Sequence, residues 1–319
     1  MIKQPIFNSL GDGILHLDAE YLSPGIASVY VLIENDECAI IETGTFHTVP
    51  HILDVLKANG LTEENVRYVI PTHVHLDHAG GVGQLMKICP NAELVVHPKG
   101  ARHMISPEKL SIGVKAVYGE AAFEELYGEL IPVDAARVVE APDNFEVTLG
   151  ERVLRFYDTP GHARHHFCVH DLKSNTIFSG DTFGIGYPQL ETTSERFIFA
   201  TTTPVQFDPD ALRASIARLL SVKPAAFNLT HFGRIVATDA VVKQLHDSID
   251  KFVAVAEQAE SVTEDRVAHI DQQIRDYLLG CYQALGGTQS DEKFLEVIAM
   301  DSKLNAQGLD VWLSLKAQK

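Results

Sequence analysis

The sequence predicts an α/β fold over residues 1–236 followed by an all-helical extension over residues 237–319, and two patterns carry that reading. Up to about residue 235, short apolar runs alternate with helical stretches; Gly13-Ile14-Leu15-His16-Leu17, Ser28-Val29-Tyr30-Val31-Leu32-Ile33 and Cys38-Ala39-Ile40-Ile41 are strand candidates. From Asp239 onward no strand pattern remains. Val241, Leu245, Ile249, Phe252 and Val255 recur at helical spacing, as do Ile270, Ile274, Tyr277, Leu278 and Cys281. Gly286-Gly287 then breaks the pattern, and Phe294, Val297, Ile298 and Leu304 suggest a further helix. A chain of 319 residues, 45% hydrophobic, can bury one large core or a domain with an appendage, and the change of period favours the second. There is no internal repeat of solenoid period and no low-complexity linker.

Within the α/β part, Thr72-His73-Val74-His75-Leu76-Asp77-His78 packs three imidazoles and a carboxylate into six residues. It follows the apolar run Tyr68-Val69-Ile70 and Pro71, which reads as a buried strand, and it precedes Gly80-Gly81, which reads as a turn opening a helix. The cluster is thus expected on a strand-to-helix loop, where a rigid scaffold presents functional groups. Imidazole nitrogen with carboxylate oxygen suits zinc, iron or manganese. With 15 histidines in the chain a His-rich polar loop can arise by chance, but His-x-His-x-Asp-His with no other polar residue among them is a narrow pattern.

The same grammar of short apolar strand, turn residue and ligand-type side chain recurs three more times. Val153-Leu154-Arg155-Phe156-Tyr157 stops at Thr159-Pro160-Gly161 and delivers His162. Thr176-Ile177-Phe178 leads through Ser179-Gly180 to Asp181. Ala225-Ala226-Phe227-Asn228-Leu229 ends at Thr230 and gives His231. Each of these alone would more often be an ordinary hydrogen-bonded loop residue; four coordinated repeats reverse that weighting.

In this order and placement the chain resembles the metallo-beta-lactamase fold superfamily over roughly residues 12 to 235. The resemblance implies an αββα sandwich for the first domain and a dinuclear site. His73, His75 and His162 would hold one metal, Asp77, His78 and His231 the other, and Asp181 would bridge both. Zinc is the expected ion, with iron or manganese as alternatives. One position departs from the pattern: where the superfamily usually has Asp in an Asp-x-Gly turn, this chain has Glu42-Thr43-Gly44. That acidic residue orients a ligand rather than binding metal, and a Glu can still reach a ligating His by hydrogen bond.

Two cations a few ångströms apart bring the pKa of a shared water towards neutrality, so a bridging hydroxide is the expected nucleophile. Asp181 would fix the pair, and Asp77 would pass a proton to the leaving atom. No G-x-S-x-G elbow, Walker motif or G-x-G-x-x-G fingerprint offers another chemistry. By resemblance, Asp181 speaks against antibiotic hydrolysis, since true beta-lactamases of the superfamily lack Asp there. His75 speaks against flavodiiron reductases, which have Glu, and Leu76 against RNA-processing members, which usually have Gly. Acyl-homoserine lactonases share Asp77-His78-Ala79-Gly80-Gly81 but place a Tyr three residues after the bridging Asp, where this chain has Gly184. Tyr187 could supply a phenol from the same loop, a packed aromatic being the competing reading. The basic glutathione-binding signature of glyoxalase II is missing. The expectation is a hydrolase of a small ester, lactone or thioester; the alternatives are a phosphodiester or phosphotriester hydrolase and, from another class, a mononuclear iron persulfide dioxygenase.

Charge and cysteine usage bound the partners. Lys and Arg number 26 against 43 Asp and Glu, a net charge of -17, which works against nucleic acid and anionic membranes. A small-molecule substrate is expected, with neither nucleic acid nor membrane as partner. Cys38, Cys89, Cys168 and Cys281 are scattered without CxxC spacing and read as reduced, mostly buried thiols of a cytoplasmic chain. Met1-Ile2-Lys3-Gln4-Pro5 has no secretory pattern, and no apolar stretch approaches the ~20 residues of a membrane helix.

Other segments carry weaker expectations. The helical extension closes the substrate pocket, as in relatives of the glyoxalase II type, or forms a homodimer interface, or is a solvated cap. Residues 107–132, with Tyr118, Phe123, Leu126 and Tyr127 at near-helical intervals, form either a helical lid or core packing. For His165 and His166 the favoured reading is structural, the alternative being that alternation turns one towards the site, to hydrogen-bond a ligand, and the other outward. Phe183, Phe197 and Phe199 line an acyl pocket or fill core. His97 reads as a satisfied strand-end histidine.

Overall fold

At Cys38-Ala39-Ile40-Ile41 the sequence stops alternating and becomes continuously apolar, and the strand formed there is buried on both faces, as a parallel strand between two layers must be. A computed structural model gives residues 6–262 and 264–318; residues 1–5, on which the leader reading rests, and the Tyr118 side chain lie outside the described residues. The chain forms two compact units, Met1–Asp158 with His165–Gly180, and Thr159–Arg164 with Asp181–Lys319.

In the first unit, strands β1 (Phe7–Ser9), β2 (Ile14–Asp18), β3 (Ser28–Glu34) and β4 (Glu37–Ile41) form an antiparallel meander. Strands β5 (Val66–Ile70), β6 (Glu93–Val96) and β7 (Val138–Glu140) continue it in parallel. Parallel neighbours need helical crossovers. These are α1 (Val49–Ala58), then α2 (Leu76–Ala79) with α3 (Val82–Ile88), then α4 (Pro98–Ile105), α5 (Glu108–Tyr118) and α6 (Glu120–Tyr127). Strands β8 (Glu146–Leu149), β9 (Arg152–Asp158), β10 (Phe167–Asp171) and β11 (Thr176–Phe178) pair antiparallel in sequence order. Two cores result: Tyr30, Leu32, Ile41 and Ile70 meet Leu154, Phe156 and Phe167 from β9 and β10, while Val31, Ile40 and Val69 on the opposite face are covered by Ile52, Leu85 and Met104 of the helices. Within residues 107–132, α5 and α6 supply helix over 108–118 and 120–127, and residues 128–132 are not helical. Phe123 and Tyr127 are buried in the helix-side core, and the Tyr127 hydroxyl lies 3.0 Å from that of Tyr21.

In the second unit, α7 (Pro209–Ser221) precedes the hairpin of β12 (Ala226–Leu229) and β13 (Gly233–Ile235). Four helices follow: α8 (Asp239–Gln258), α9 (Arg266–Ala284), α10 (Asp291–Val297) and α11 (Ala299–Lys316). Thr238 caps α8 by accepting from the Val241 N–H, and Ser290 caps α10 by accepting from that of Lys293. The apolar stripes read from the sequence are the buried faces: Leu245, Ile249 and Phe252 on α8, Ile270, Ile274 and Leu278 on α9. Each such side chain contributes roughly 1.5–3 kcal/mol when fully buried. Phe183 stacks on Phe227 at 3.9 Å, and Phe197 lies 5.5 Å from Tyr282 and 5.7 Å from Phe294, so these rings are core. All four cysteines are free; burial pushes the Cys38 and Cys89 thiols up to about 12. Among the described residues no helix is long and apolar enough to cross a membrane.

One polar cluster is buried inside the first unit. The Arg152 guanidinium, fully enclosed, donates to Asp171 Oδ2 at 2.7 Å, to Glu34 Oε2 at 3.4 Å and to the Asp12 carbonyl; Lys173 Nζ reaches Glu34 at 2.7 Å. Removing the cation leaves the buried Asp171 carboxylate without its charge partner and Glu34 with Lys173 alone, so Arg152→Ala is expected to cost about 3–5 kcal/mol in a denaturant titration. Hydrogen bonding to Lys173, then desolvation opposing it and the charges of Lys173 and Arg152, leave the Glu34 carboxyl below its ordinary 4.5. A lowered acid contributes stability that is complete above pH 4.5 and lost as the pH falls through the lowered value. Lys173→Met should therefore move the acid-unfolding midpoint to higher pH, as followed by circular dichroism.

Candidate functional site

In the first unit the ligand-type residues lie at the carboxyl ends of parallel strands β4 and β5, where open α/β sheets place their sites. The Glu42 N–H donates to the Ile70 carbonyl at 3.0 Å, and the residue turns out of β4 with φ +62°. A non-glycine in that region is sparsely populated and persists only where its surroundings determine it. Here the surroundings are explicit. The buried Glu42 carboxylate accepts from the Thr72 N–H at 3.0 Å and from the Thr72 hydroxyl at 2.6 Å, and Oε1 lies 3.0 Å from His78 Nδ1. Thr43 adds two bonds to the His78 carbonyl, both 2.8 Å. Thr72 Oγ1 lies 3.2 Å from His73 Nδ1.

With its Nδ1 so occupied, His73 presents Nε2, which lies 2.8 Å from His75 Nδ1. His75 is the N-cap residue of α2, Asp77 and His78 lie in that helical turn, and Gly80 and Gly81 join it to α3. His78 Nε2 is 3.4 Å from Asp77 Oδ2, and the His73 and His78 rings are 4.1 Å apart. His73 and His78 are fully buried. His165 and His166 do not alternate. Both are buried, with ring centres 6.1 and 5.0 Å from that of His73, because they lie in the turn before β10 and not in the strand. His97 caps α4 by accepting from the Lys99 N–H and pairs with Asp158 at 3.2 Å.

In the second unit His162 lies on a loop pressed against α7. Gly161 has φ +136°, and a Cβ there would lie 2.4 Å from the Leu212 backbone; Ser215 Oγ donates to the Pro160 carbonyl at 2.7 Å. Asp181 is buried, and its two oxygens face different imidazoles: Oδ2 is 3.4 Å from His162 Nε2, Oδ1 3.6 Å from His231 Nε2. Tyr187 is buried with its ring edge-on to His231 at 6.3 Å, and its hydroxyl donates to Asp301 Oδ1 at 3.1 Å. Desolvation pushes the Asp301 carboxyl up to about 6, His231 pulling the other way. The phenol is thus both packed and hydrogen-bonded. Thr72, Thr203 and Asp301 are the partners that the sequence does not single out; Thr72 adjoins the motif, whereas Asp301 is 114 residues from Tyr187.

All seven ligand candidates belong to groups of donors able to hold a metal ion: His73, His75, Asp77 and His78 in the first unit, His162, Asp181 and His231 in the second. Imidazole nitrogens with carboxylate oxygens fit zinc, iron or manganese.

Residues 22–231 match the family described as the metallo-beta-lactamase superfamily. The chain belongs to that superfamily. Its fold is therefore the αββα sandwich, with α8 to α11 lying beyond the matched region. The metallo-beta-lactamase fold-containing protein ST1585 of Sulfurisphaera tokodaii is 27% identical over 232 residues, 72% of this chain and 80% of the relative. The crystal structure of ST1585 superposes with a TM-score of 0.64 at 23% identity, covering 94% of this chain and 98% of that one. The human acyl-coenzyme A thioesterase MBLAC2 is 25% identical over 185 residues, 54% of this chain and 64% of the relative. The N-acyl homoserine lactonase AttM of Agrobacterium fabrum is 26% identical over 116 residues, 36% of this chain and 39% of the relative.

Glu42→Ala removes the acceptor that fixes the His78 ring and the Thr72 backbone. Loss of such an orienting partner typically costs 10–100-fold in metal affinity. Zinc affinity by chelator competition is expected to fall by that factor, and less in Glu42→Gln.

Proposed function

We propose that this superfamily member is a dinuclear metallo-hydrolase of small acyl substrates, with thioesters first and lactones or simple esters next. In this reading His73, His75 and His162 hold one divalent ion, Asp77, His78 and His231 the other, and Asp181 both; zinc is the ion proposed. One observation carries the dinuclear form: the Asp181 carboxylate turns one oxygen to His162 and the other to His231, as a bridging ligand must. Support for an acyl substrate comes from the relatives, one a thioesterase and one a lactonase, and from an acidic chain ill suited to nucleic acid.

When bound, the ions supply a water of lowered pKa as nucleophile and Lewis-acid polarisation of the acyl carbonyl. The chain's residues do the remainder. Glu42 and Thr72 hold the His78 and His73 rings so that a fixed nitrogen of each faces the site. Asp77, in the first turn of α2, takes the proton released as water adds to the acyl carbon. It returns that proton to the sulfur or oxygen as the carbon–heteroatom bond breaks, giving carboxylic acid and thiol or alcohol. Tyr187 holds the face of His231.

The test joins metal analysis of the purified protein to a hydrolysis screen over acyl thioesters, lactones and phosphoesters. Two zinc or manganese ions per chain with acyl cleavage are expected; one iron per chain with oxygen consumption would overturn the reading. His73→Ala and Asp181→Ala should each lose at least about two orders of magnitude in kcat/KM. An Asp77→Asn variant that keeps its metal should lose about 10²–10⁴-fold on alkyl thioesters and much less on aryl thioesters, whose leaving groups need no proton.

A further inference from the structure

Helix α11 directs three residues at spacings of four and three, hence on one face, towards the loops that carry the second unit's ligands. Asn305, fully buried, accepts from the Thr202 N–H at 2.6 Å through Oδ1 and donates to the Ala200 carbonyl at 3.3 Å; the Thr202 hydroxyl donates to the Asn305 carbonyl at 3.0 Å. The adjacent residue, Thr203, places Oγ1 3.5 Å from His162 Nδ1. One turn from Asn305, Asp301 takes the Tyr187 hydroxyl, whose ring stands against His231. Gly308 allows the approach: a Cβ there would lie 1.6 Å from the Thr202 carbonyl oxygen.

We infer that α11 is a positioning element of the metal centre, with Asn305 setting His162 through Thr202 and Thr203, and Asp301 setting Tyr187 against His231. The inference rests on the reading of His162 and His231 as metal ligands, and it holds whatever the substrate. A buried side-chain amide bonded to two backbone groups of one loop, beside a hydroxyl bond from that loop to the residue's own carbonyl, is more than a helix needs in order to pack, and Leu309 and Leu313 already bury the helix. The polar face serves the ligand loops. It gives the helical extension a role inside the site, distinct from covering a pocket or joining two copies.

The test is zinc affinity of the full chain by competition with a chromophoric chelator, beside thermal unfolding and, where turnover is found, kcat and KM. Asn305→Ala, Asp301→Asn and Thr203→Val are expected to weaken zinc binding by about tenfold or more, within the range for partners of ligating residues. They should lower kcat more than they raise KM. Lys303→Ala, on the exposed side of the same helix, should bind zinc as the parent does. If Asn305→Ala fails to fold, Thr203→Val decides alone, because it removes only the hydroxyl that meets His162. Parent-like zinc affinity in a folded Thr203→Val and Asp301→Asn overturns the inference, as does an equal loss in Lys303→Ala. Absence of acyl cleavage with zinc affinities ordered as expected would sink the substrate proposal and leave this one standing.

Discussion

A single buried carboxylate organises the ligand-type residues of the first unit. Glu42 leaves β4 in a backbone conformation that non-glycine residues rarely adopt, and its two oxygens tie together the Thr72 amide, the Thr72 hydroxyl and His78. Those bonds join the end of β4 to the loop after β5, so the spacing of two parallel strands fixes where His73 and His78 stand. The strain of the turn, of order 1–3 kcal/mol, is held by charge-assisted hydrogen bonds that no neutral side chain would replace in full. A Glu, one methylene longer than the usual Asp, suffices because the residue turns towards Thr72.

Much of this was legible in the sequence, because metal chemistry limits the residue types. Three histidines and an aspartate within six positions after an apolar run are hard to explain otherwise, and the strand-turn-ligand grammar singles out His162, Asp181 and His231, each of which belongs to a donor group able to hold a metal ion. The fold followed from the change of hydrophobic period near residue 235, and the apolar stripes of α8 and α9 are the faces that the structure buries. Partners brought in from distant sequence were not legible. Nothing near Asp301 or Asn305 announces that they meet Tyr187 and Thr202, since a polar residue on a helix reads as solvated until its neighbours are known. Alternation also fails at His165 and His166, because the rule holds within a strand and these two residues precede one. Phe183 and Phe197 illustrate a further limit: an aromatic near a ligand serves pocket and core alike in sequence terms, and only the stacking on Phe227 and the contact with Tyr282 decide for core.

Two strategies for holding ligands coexist in the chain. The first unit uses a short loop, a charged anchor and adjacent sequence, so that one segment supplies four of the donors. The second unit uses separate loops held by two helices: Gly161 packs against α7, while α11 holds the segment 199–203 through Asn305 and the loop after Asp181 through Asp301 and Tyr187. The second arrangement needs more chain, and helices beyond the matched family region supply it.

The hydrogen bonds to the imidazoles also fix which way each ring is turned. Thr72 engages Nδ1 of His73 and Glu42 engages Nδ1 of His78, whereas Nδ1 of His75 meets Nε2 of His73. The three rings of one short motif are thereby turned in two ways, two with Nδ1 towards Thr72 or Glu42 and one with Nδ1 towards a neighbouring ring. Nitrogen-15 correlation spectra separate the two tautomers of an imidazole, so the proton positions in this loop can be read without crystals and without a substrate.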